Sequence, residues 1–208
     1  NSLSVPGSGV NINKFSLSPV PEASNGYQVL FAARMLKSKG LFELVEAVKI
    51  LRDVGETIQI NVAGIIDAES PDSITLDEIE KLSQSGDINW LGNVSDMSSL
   101  IASNHFVVLP TRYGEGIPRI LIEASACGRP VISSNIGGCK EFVSDGVTGI
   151  ILKDGTISTL ATAIKELCNT TLCSELGFNG RRRVEKYYTT QHIIEAYKGI
   201  YDLVQGEN

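Results

Sequence analysis

Apolar and polar positions change their period along this chain in a regular way. Tyr27–Arg34 is a short apolar run rich in strand formers, of the kind buried on both faces of a parallel sheet. Leu41, Leu44, Val45, Val48 and Leu51 then recur at the spacing of one helix face, and Gly55 ends that helix. Thr57–Gly64 returns to strand character, with Ile58, Ile60 and Val62 alternating. A polar loop over Asp67–Ser73 leads to a helix marked by Leu76, Ile79 and Leu82. Asp87–Leu91 predicts a short strand, Ser95–Ala102 a short helix and Phe106–Pro110 another strand. A glycine-bearing loop, Thr111–Ile117, precedes a helix from Pro118 to about Cys127. Pro130–Ser133 is a strand, Gly137-Gly138 a turn before a short helix, and Val147–Leu152 a last strand. Ser158–Val204 is mostly helical.

Short strands alternating with helices predict an α/β fold, a Rossmann-like doubly wound parallel sheet flanked by helices and joined by right-handed crossovers. In such sheets ligands bind at the carboxyl ends of the strands, beside the point where strand order reverses. Two strand ends carry distinctive residues: Arg34 followed by Lys39-Gly40, and Thr111–Pro118.

Composition narrows the function classes. The 208 residues suit one domain better than two. The longest apolar stretches are strand-length, so no membrane-spanning helix is expected. No charged start leads into an apolar run, so no secretory leader is expected in this segment. A net charge of −6 argues against a general nucleic-acid surface but leaves room for a small anion held by local positive potential. The four cysteines, Cys127, Cys139, Cys168 and Cys173, form no C-x-x-C, and the two histidines are His105 and His192, so no metal site is expected. The cysteines read as reduced structural thiols of a cytoplasmic protein. The chain begins at Asn1 with a Ser-, Gly- and Asn-rich stretch, read as linker over residues 1–16 of a longer protein.

The chemistry gathers at Gly114-Glu115-Gly116-Ile117-Pro118. Flanking glycines let backbone approach a ligand closely, and proline suits the first turn of a helix. A helix start offers free N–H groups and positive potential to a phosphate. Glu115 stands just ahead of that start and Glu123 lies inside the helix. Two carboxylates beside a phosphate site make sense if each accepts hydrogen bonds from a hydroxyl-rich ring. A nucleotide-sugar is two polyols joined by a diphosphate. Cations at Arg34 and Lys39 suggest an anion between them. Taken singly, however, a loop Glu, Arg or Lys reads as a solvated surface group.

Together these residues resemble the C-terminal domain of the large family-4 glycosyltransferases, which have the two-domain GT-B architecture. Val5-Pro6-Gly7-Ser8-Gly9-Val10 and Phe15 look like the interdomain linker. Arg34 and Lys39-Gly40 match the R-x4-K-G pattern, and Glu115-Gly116-Ile117-Pro118 through Glu123 match the E-x7-E motif. Trp90-Leu91-Gly92-Asn93-Val94, Val108-Leu109-Pro110-Thr111, Cys127-Gly128-Arg129-Pro130-Val131-Ile132 and Gly137-Gly138 follow in family order. The resemblance implies that Arg34 and Lys39 neutralise the diphosphate, that Glu115 holds the transferred sugar and that Glu123 holds the ribose. Backbone around Gly114, Gly116 and Ile117 would meet phosphates or sugar, and the base would lie near Leu91. Arg119 and Gly137-Gly138-Cys139-Lys140-Glu141 are similar to transferases that extend undecaprenyl-diphosphate-linked sugars with UDP-sugars. The implied reaction retains anomeric configuration without a metal or other cofactor. The implied partners are the donor, an acceptor-binding N-terminal domain of the same protein and a lipid-linked acceptor at the cytoplasmic membrane face. A final helix over residues 189–208 would cross towards that domain, presenting Tyr197, Ile200, Tyr201 and Val204. Two other readings stay open: a non-catalytic nucleotide-binding domain, and a UDP-sugar 2-epimerase, which needs a histidine that the Glu115 loop lacks.

Overall fold

A computed structural model describes residues 8–206, with side chains described through Tyr201. Val5-Pro6-Gly7 of the linker reading and the Val204 side chain lie outside the described residues.

Six strands form one parallel sheet: β1 (Tyr27–Ala32), β2 (Ile58–Ala63), β3 (Asn89–Gly92), β4 (Phe106–Leu109), β5 (Val131–Ser134) and β6 (Gly149–Leu152). Their order is β3-β2-β1-β4-β5-β6, so the sheet reverses its winding between β1 and β4. The helices are α1 (Leu41–Asp53), α2 (Leu76–Gln84), α3 (Met97–Ala102), α4 (Arg119–Ala126), α5 (Gly137–Phe142), α6 (Ile157–Leu167), α7 (Thr170–Tyr187) and α8 (Thr190–Gly206). Right-handed crossovers that run in opposite directions from the switch put their helices on opposite faces. Accordingly α1 packs with α6, while α4 packs with α3, α5 and α7.

β1 and β4 are buried on both faces because they are the two central strands, which is why their sequences are continuous apolar runs rather than alternating ones. Several ends differ from the sequence reading. β1 stops at Ala32, so Arg34 stands two residues beyond the strand. Pro118 caps α4 in extended geometry (ψ 128°) instead of occupying its first turn, and the helix begins at Arg119. Gly137-Gly138 open α5 rather than preceding it. Lys39 closes a single 3-10 turn ahead of α1.

The amino-terminal stretch packs on the domain from Val10 onward. Val10 and Phe15 are buried in the main core, and Val10 pairs with Thr189 at the entry to α8. Two buried arginines hold the stretch by its carbonyls. Arg181 donates to the carbonyls of Phe15 and Ala126, and Arg129 to those of Ser18 and Pro19.

Candidate functional site

The switch point brings two distant segments together. The β1–α1 connection carries Arg34 and Lys39, and the β4–α4 connection carries Thr111–Pro118. They are joined by backbone: the Arg112 N–H donates to the Ser38 carbonyl at 2.7 Å. Gly40, in the left-handed region at φ 86°, sits so close to β4 that a Cβ there would meet the Pro110 carbonyl oxygen at 2.4 Å. Only glycine fits, and that contact sets Lys39 beside the end of β4.

Lys39 is 6% exposed, and its ammonium pairs with Glu115. The exposed Tyr113 ring lies 5.7 Å from the same nitrogen. The Glu115 loop rests on α5: the Gly138 N–H donates to the Glu115 carbonyl at 3.0 Å, and a Cβ on Gly138 would lie 2.3 Å from the Ile117 nitrogen. The glycine pair thus serves close backbone contact beneath the loop, a role that the sequence reading, which assigned it a turn, did not see. Gly114 and Gly116 have open space where a side chain would project. No side chain caps α4; the Leu121 N–H donates to the Pro118 carbonyl, and the N–H groups of Arg119 and Ile120 are left for another acceptor.

Arg34 pairs with Asp67 at 3.1 Å, and Arg119 pairs with Glu123 at 3.1 Å. Glu123 is largely shielded, with 13% of its side chain exposed. Burial holds its carboxyl above the usual glutamate range, against the opposing pull of Arg119. A cleft of about 260 Å³ collects Arg34, Glu123, Gly64, Asn93, Val94 and Met97, from the ends of β1, β2 and β3 and the starts of α3 and α4. Leu91 stays outside that lining; it is 36% exposed on β3. Asn93 and Val94, quoted with Leu91 in the sequence motif, line the cleft just beyond the strand. Asp67 and Met97, which join Arg34 and Glu123 here, were not singled out by the sequence.

The remaining titratable groups sit apart from this arrangement. His105 is buried at the start of β4, at the opposite edge of the sheet, where its Nδ1 accepts from the Gln28 N–H at 2.9 Å. Burial holds its pKa below the ordinary histidine value. His192 hydrogen-bonds Thr189 at the start of α8. Among the described residues neither imidazole is bonded to Glu115. All four cysteines are free, and burial pushes the thiols of Cys127 and Cys168 up to about 11 and that of Cys173 up to about 12. Among the described residues no group of three metal-ligating side chains converges, and no helix is long and apolar enough to cross a membrane.

Cations, carboxylates and an uncapped helix start thus gather at the switch point of a doubly wound parallel sheet, the place where such sheets bind ligands. Comparison with known proteins narrows this. The family model for "Glycosyl transferases group 1" matches residues 14–191, and the chain belongs to that family. The capsular polysaccharide biosynthesis glycosyltransferase CapM of Staphylococcus aureus is 31% identical over 180 residues, 86% of this chain and 47% of the relative. The N,N'-diacetylbacillosaminyl-diphospho-undecaprenol alpha-1,3-N-acetylgalactosaminyltransferase of Campylobacter jejuni is 29% identical over 177 residues, 85% of this chain and 44% of the relative. Anabaena HepE, solved with UDP-glucose, superposes with a TM-score of 0.77 at 22% identity, over 95% of this chain and 56% of that one. The fold is that of one half of a GT-B glycosyltransferase. The chain spans under half the length of the two curated relatives.

Proposed function

We propose that this domain binds the nucleotide-sugar donor, a UDP-sugar, of a retaining glycosyltransferase. In this reading the enzyme transfers the sugar to a glycan or lipid-linked acceptor in surface-polysaccharide synthesis. The observation that carries it is the convergence of Arg34, Lys39, Glu115, Glu123 and the open start of α4 along one strand-end edge. The Glu123 cleft takes the nucleoside, with the carboxylate accepting from ribose hydroxyls and base packing against Asn93, Val94 and Met97. The diphosphate lies at the switch point, where Arg34, Lys39 and the α4 backbone offset its charge. Glu115 faces the transferred sugar, and Arg119 flanks the entrance. The undecaprenyl-diphosphate relative favours a lipid-linked acceptor, and the UDP-glucose bound to Anabaena HepE favours a UDP-sugar donor.

Arg34, Lys39 and Arg119 are each paired with a carboxylate, so donor binding is an exchange of partners. Lys39 turns from Glu115 to phosphate, freeing Glu115 for sugar hydroxyls. In the chemical step the acceptor oxygen attacks the anomeric carbon from the face of the departing diphosphate. The bond from that carbon to the phosphate oxygen breaks, and the acceptor's proton passes to the leaving diphosphate. Cations and helix dipole stabilise the charge that grows there, the work a metal ion does in other transferases. No metal takes part in this scheme.

A separate domain of the full protein contributes most of the acceptor side. The apolar side chains of α8 fit that role: Ile194, Tyr197 and Tyr201 are 43%, 46% and 67% exposed. The test is calorimetric titration with UDP, CDP and uridine. Micromolar preference for UDP, lost in Lys39→Ala with the fold intact, is the expected result. Equal binding of uridine and UDP would overturn the donor-site assignment.

A further inference from the structure

A second pocket of about 320 Å³ opens at the same carboxyl-end edge, on the far side of the β4 loop. Its walls come from α1 (Glu43), the end of β4 (Pro110, Arg112), the segment after β5 (Asn135) and the segment after β6 (Lys153, Asp154). Nothing in the proposed donor arrangement uses it. The donor cleft lies at the ends of β1, β2 and β3, and Glu115 leads into α4; this pocket instead faces the α1 and α6 layer, with Leu160 of α6 in its floor. Pro110–Arg112 lines this pocket and the same loop continues to Glu115, the partner of Lys39.

The pocket's polar groups are incompletely satisfied. One oxygen of Glu43 pairs with Arg112, but Oε2 is buried with no hydrogen-bond partner. A buried acceptor without a donor costs free energy, and such groups call for a specific explanation. Among the described residues neither the Asn135 amide nor the Lys153 ammonium has a side-chain hydrogen bond or ion pair, and both residues are exposed at the rim. Asp154 is committed to Thr156, whose N–H and hydroxyl it accepts and which hold its carboxyl below the usual range. Two cations and two carboxylates line the walls, so the pocket offers no net charge to an ion. It offers interleaved donors and acceptors over an apolar floor of Pro110, Ile136, Leu152 and Leu160. That combination, in a cavity of ordinary ligand-pocket size, matches a neutral, hydroxyl-bearing sugar ring.

We propose that this pocket is a saccharide subsite of the acceptor: a pyranose whose hydroxyls exchange hydrogen bonds with Asn135 and Lys153, and with the Glu43 carboxylate once that side chain turns from Arg112 and brings its enclosed Oε2 to the cavity. The assignment rests on the transferase reading for the word acceptor, and on the pocket itself for the sugar. The loop from Pro110 to Glu115 then touches the acceptor at one end and the donor at the other, coupling occupancy of the two.

The experiment follows backbone amides of the 15N-labelled protein by NMR. UDP-saturated protein is titrated with glucose and with N-acetylglucosamine, and separately UDP is replaced by UDP-glucose. Saturable shifts at Asn135 and Lys153–Gly155 with the free sugars, absent on exchange of UDP for UDP-glucose, are expected. Glu43→Gln and Asn135→Ala should each raise the half-saturating sugar concentration, by roughly tenfold for the buried acceptor, with UDP affinity unchanged. Asn135 lies on an exposed loop, so its variant keeps the test meaningful if the Glu43 variant folds poorly. Shifts confined to residues 114–123 would overturn the proposal, as would pocket shifts that UDP-glucose produces alone, or sugar binding indifferent to both substitutions. Failure of UDP itself to bind would sink the donor reading and leave the sugar titration of the free protein to decide the pocket.

Discussion

The two edges of the sheet each hold a buried cation, Arg129 at one and Lys39 at the other, and they treat their cations oppositely. At the amino-terminal edge Arg129 is fully buried, yet its guanidinium faces no carboxylate. It donates to the carbonyls of Asn104, Ala102, Cys127, Ser18 and Pro19 and to the Ser18 hydroxyl, at 2.7 to 3.1 Å. Around it Asn61 bridges Asn104 and Asn89, and His105 accepts from Gln28. Fixed, neutral acceptors saturate the cation, leaving nothing for a ligand. At the carboxyl-terminal edge Lys39, Arg34 and Arg119 meet only side-chain carboxylates, on loops and a helix flank. Such pairs can be exchanged, because each partner can swing to another counter-charge. A cation saturated by backbone is structural; a cation paired with a movable carboxylate at strand ends is free to serve chemistry.

The sharpest way to break this contrast is Glu115→Gln in the full-length enzyme. Turnover should fall roughly a hundredfold or more, the scale of one lost preorganised transition-state contact. UDP affinity should stay within about threefold, under ~1 kcal/mol. Steady-state kinetics beside calorimetry separates the two, and wild-type turnover would remove Glu115 from the site.

At the other edge, Arg129→Leu orphans several buried carbonyls at once. Urea melts should show a loss of about 3 kcal/mol or more, while the protein that remains folded binds UDP normally. A stable variant with impaired nucleotide binding would reverse the roles assigned to the two edges.

Glu123→Ala is smaller in effect. Removing a charged acceptor for the ribose should weaken UDP by about tenfold to a hundredfold, about 1.5–3 kcal/mol. Affinity for pyrophosphate, which has no ribose, should be spared. Equal losses for both ligands would place Glu123 at the phosphates or in the fold.

The smallest effect sharpens the comparison through pH. Burial raises the Glu123 carboxyl above its unfolded value, so the folded state holds that proton more tightly. The stability this proton lends is present below the ordinary glutamate pKa and is lost as pH rises through the raised folded value. Glu123→Gln should therefore raise Tm near pH 7, and the gain should shrink by about pH 4, near the unperturbed glutamate value. A gain that is the same at both pH values would mean the charge is not the cause.

Local pattern alone sufficed for the elements, because the switch from continuous or alternating apolar positions to a 3.6-residue spacing is written into neighbouring residues. All six strands and the helices between them follow from it, with ends displaced by a residue or two where capping decides, as at Pro118 and Gly137, whereas the helical tail was read as one stretch and its division into α6, α7 and α8 was not. The ordered motifs from Arg34 to Glu123 likewise carried the family. Three things needed the folded chain. Lys39 and Glu115 are 76 residues apart and meet only because β1 and β4 are neighbours, which is a property of strand pairing and not of either segment. The cleft beside Glu123 is lined by Asn93, Val94 and Met97 and not by Leu91, because strand ends and helix starts decide which residues turn inward. The third was the contrast between Arg129 and Lys39. Both are long cations with almost no exposure, and their surroundings alone, backbone carbonyls for one and a movable carboxylate for the other, set them apart.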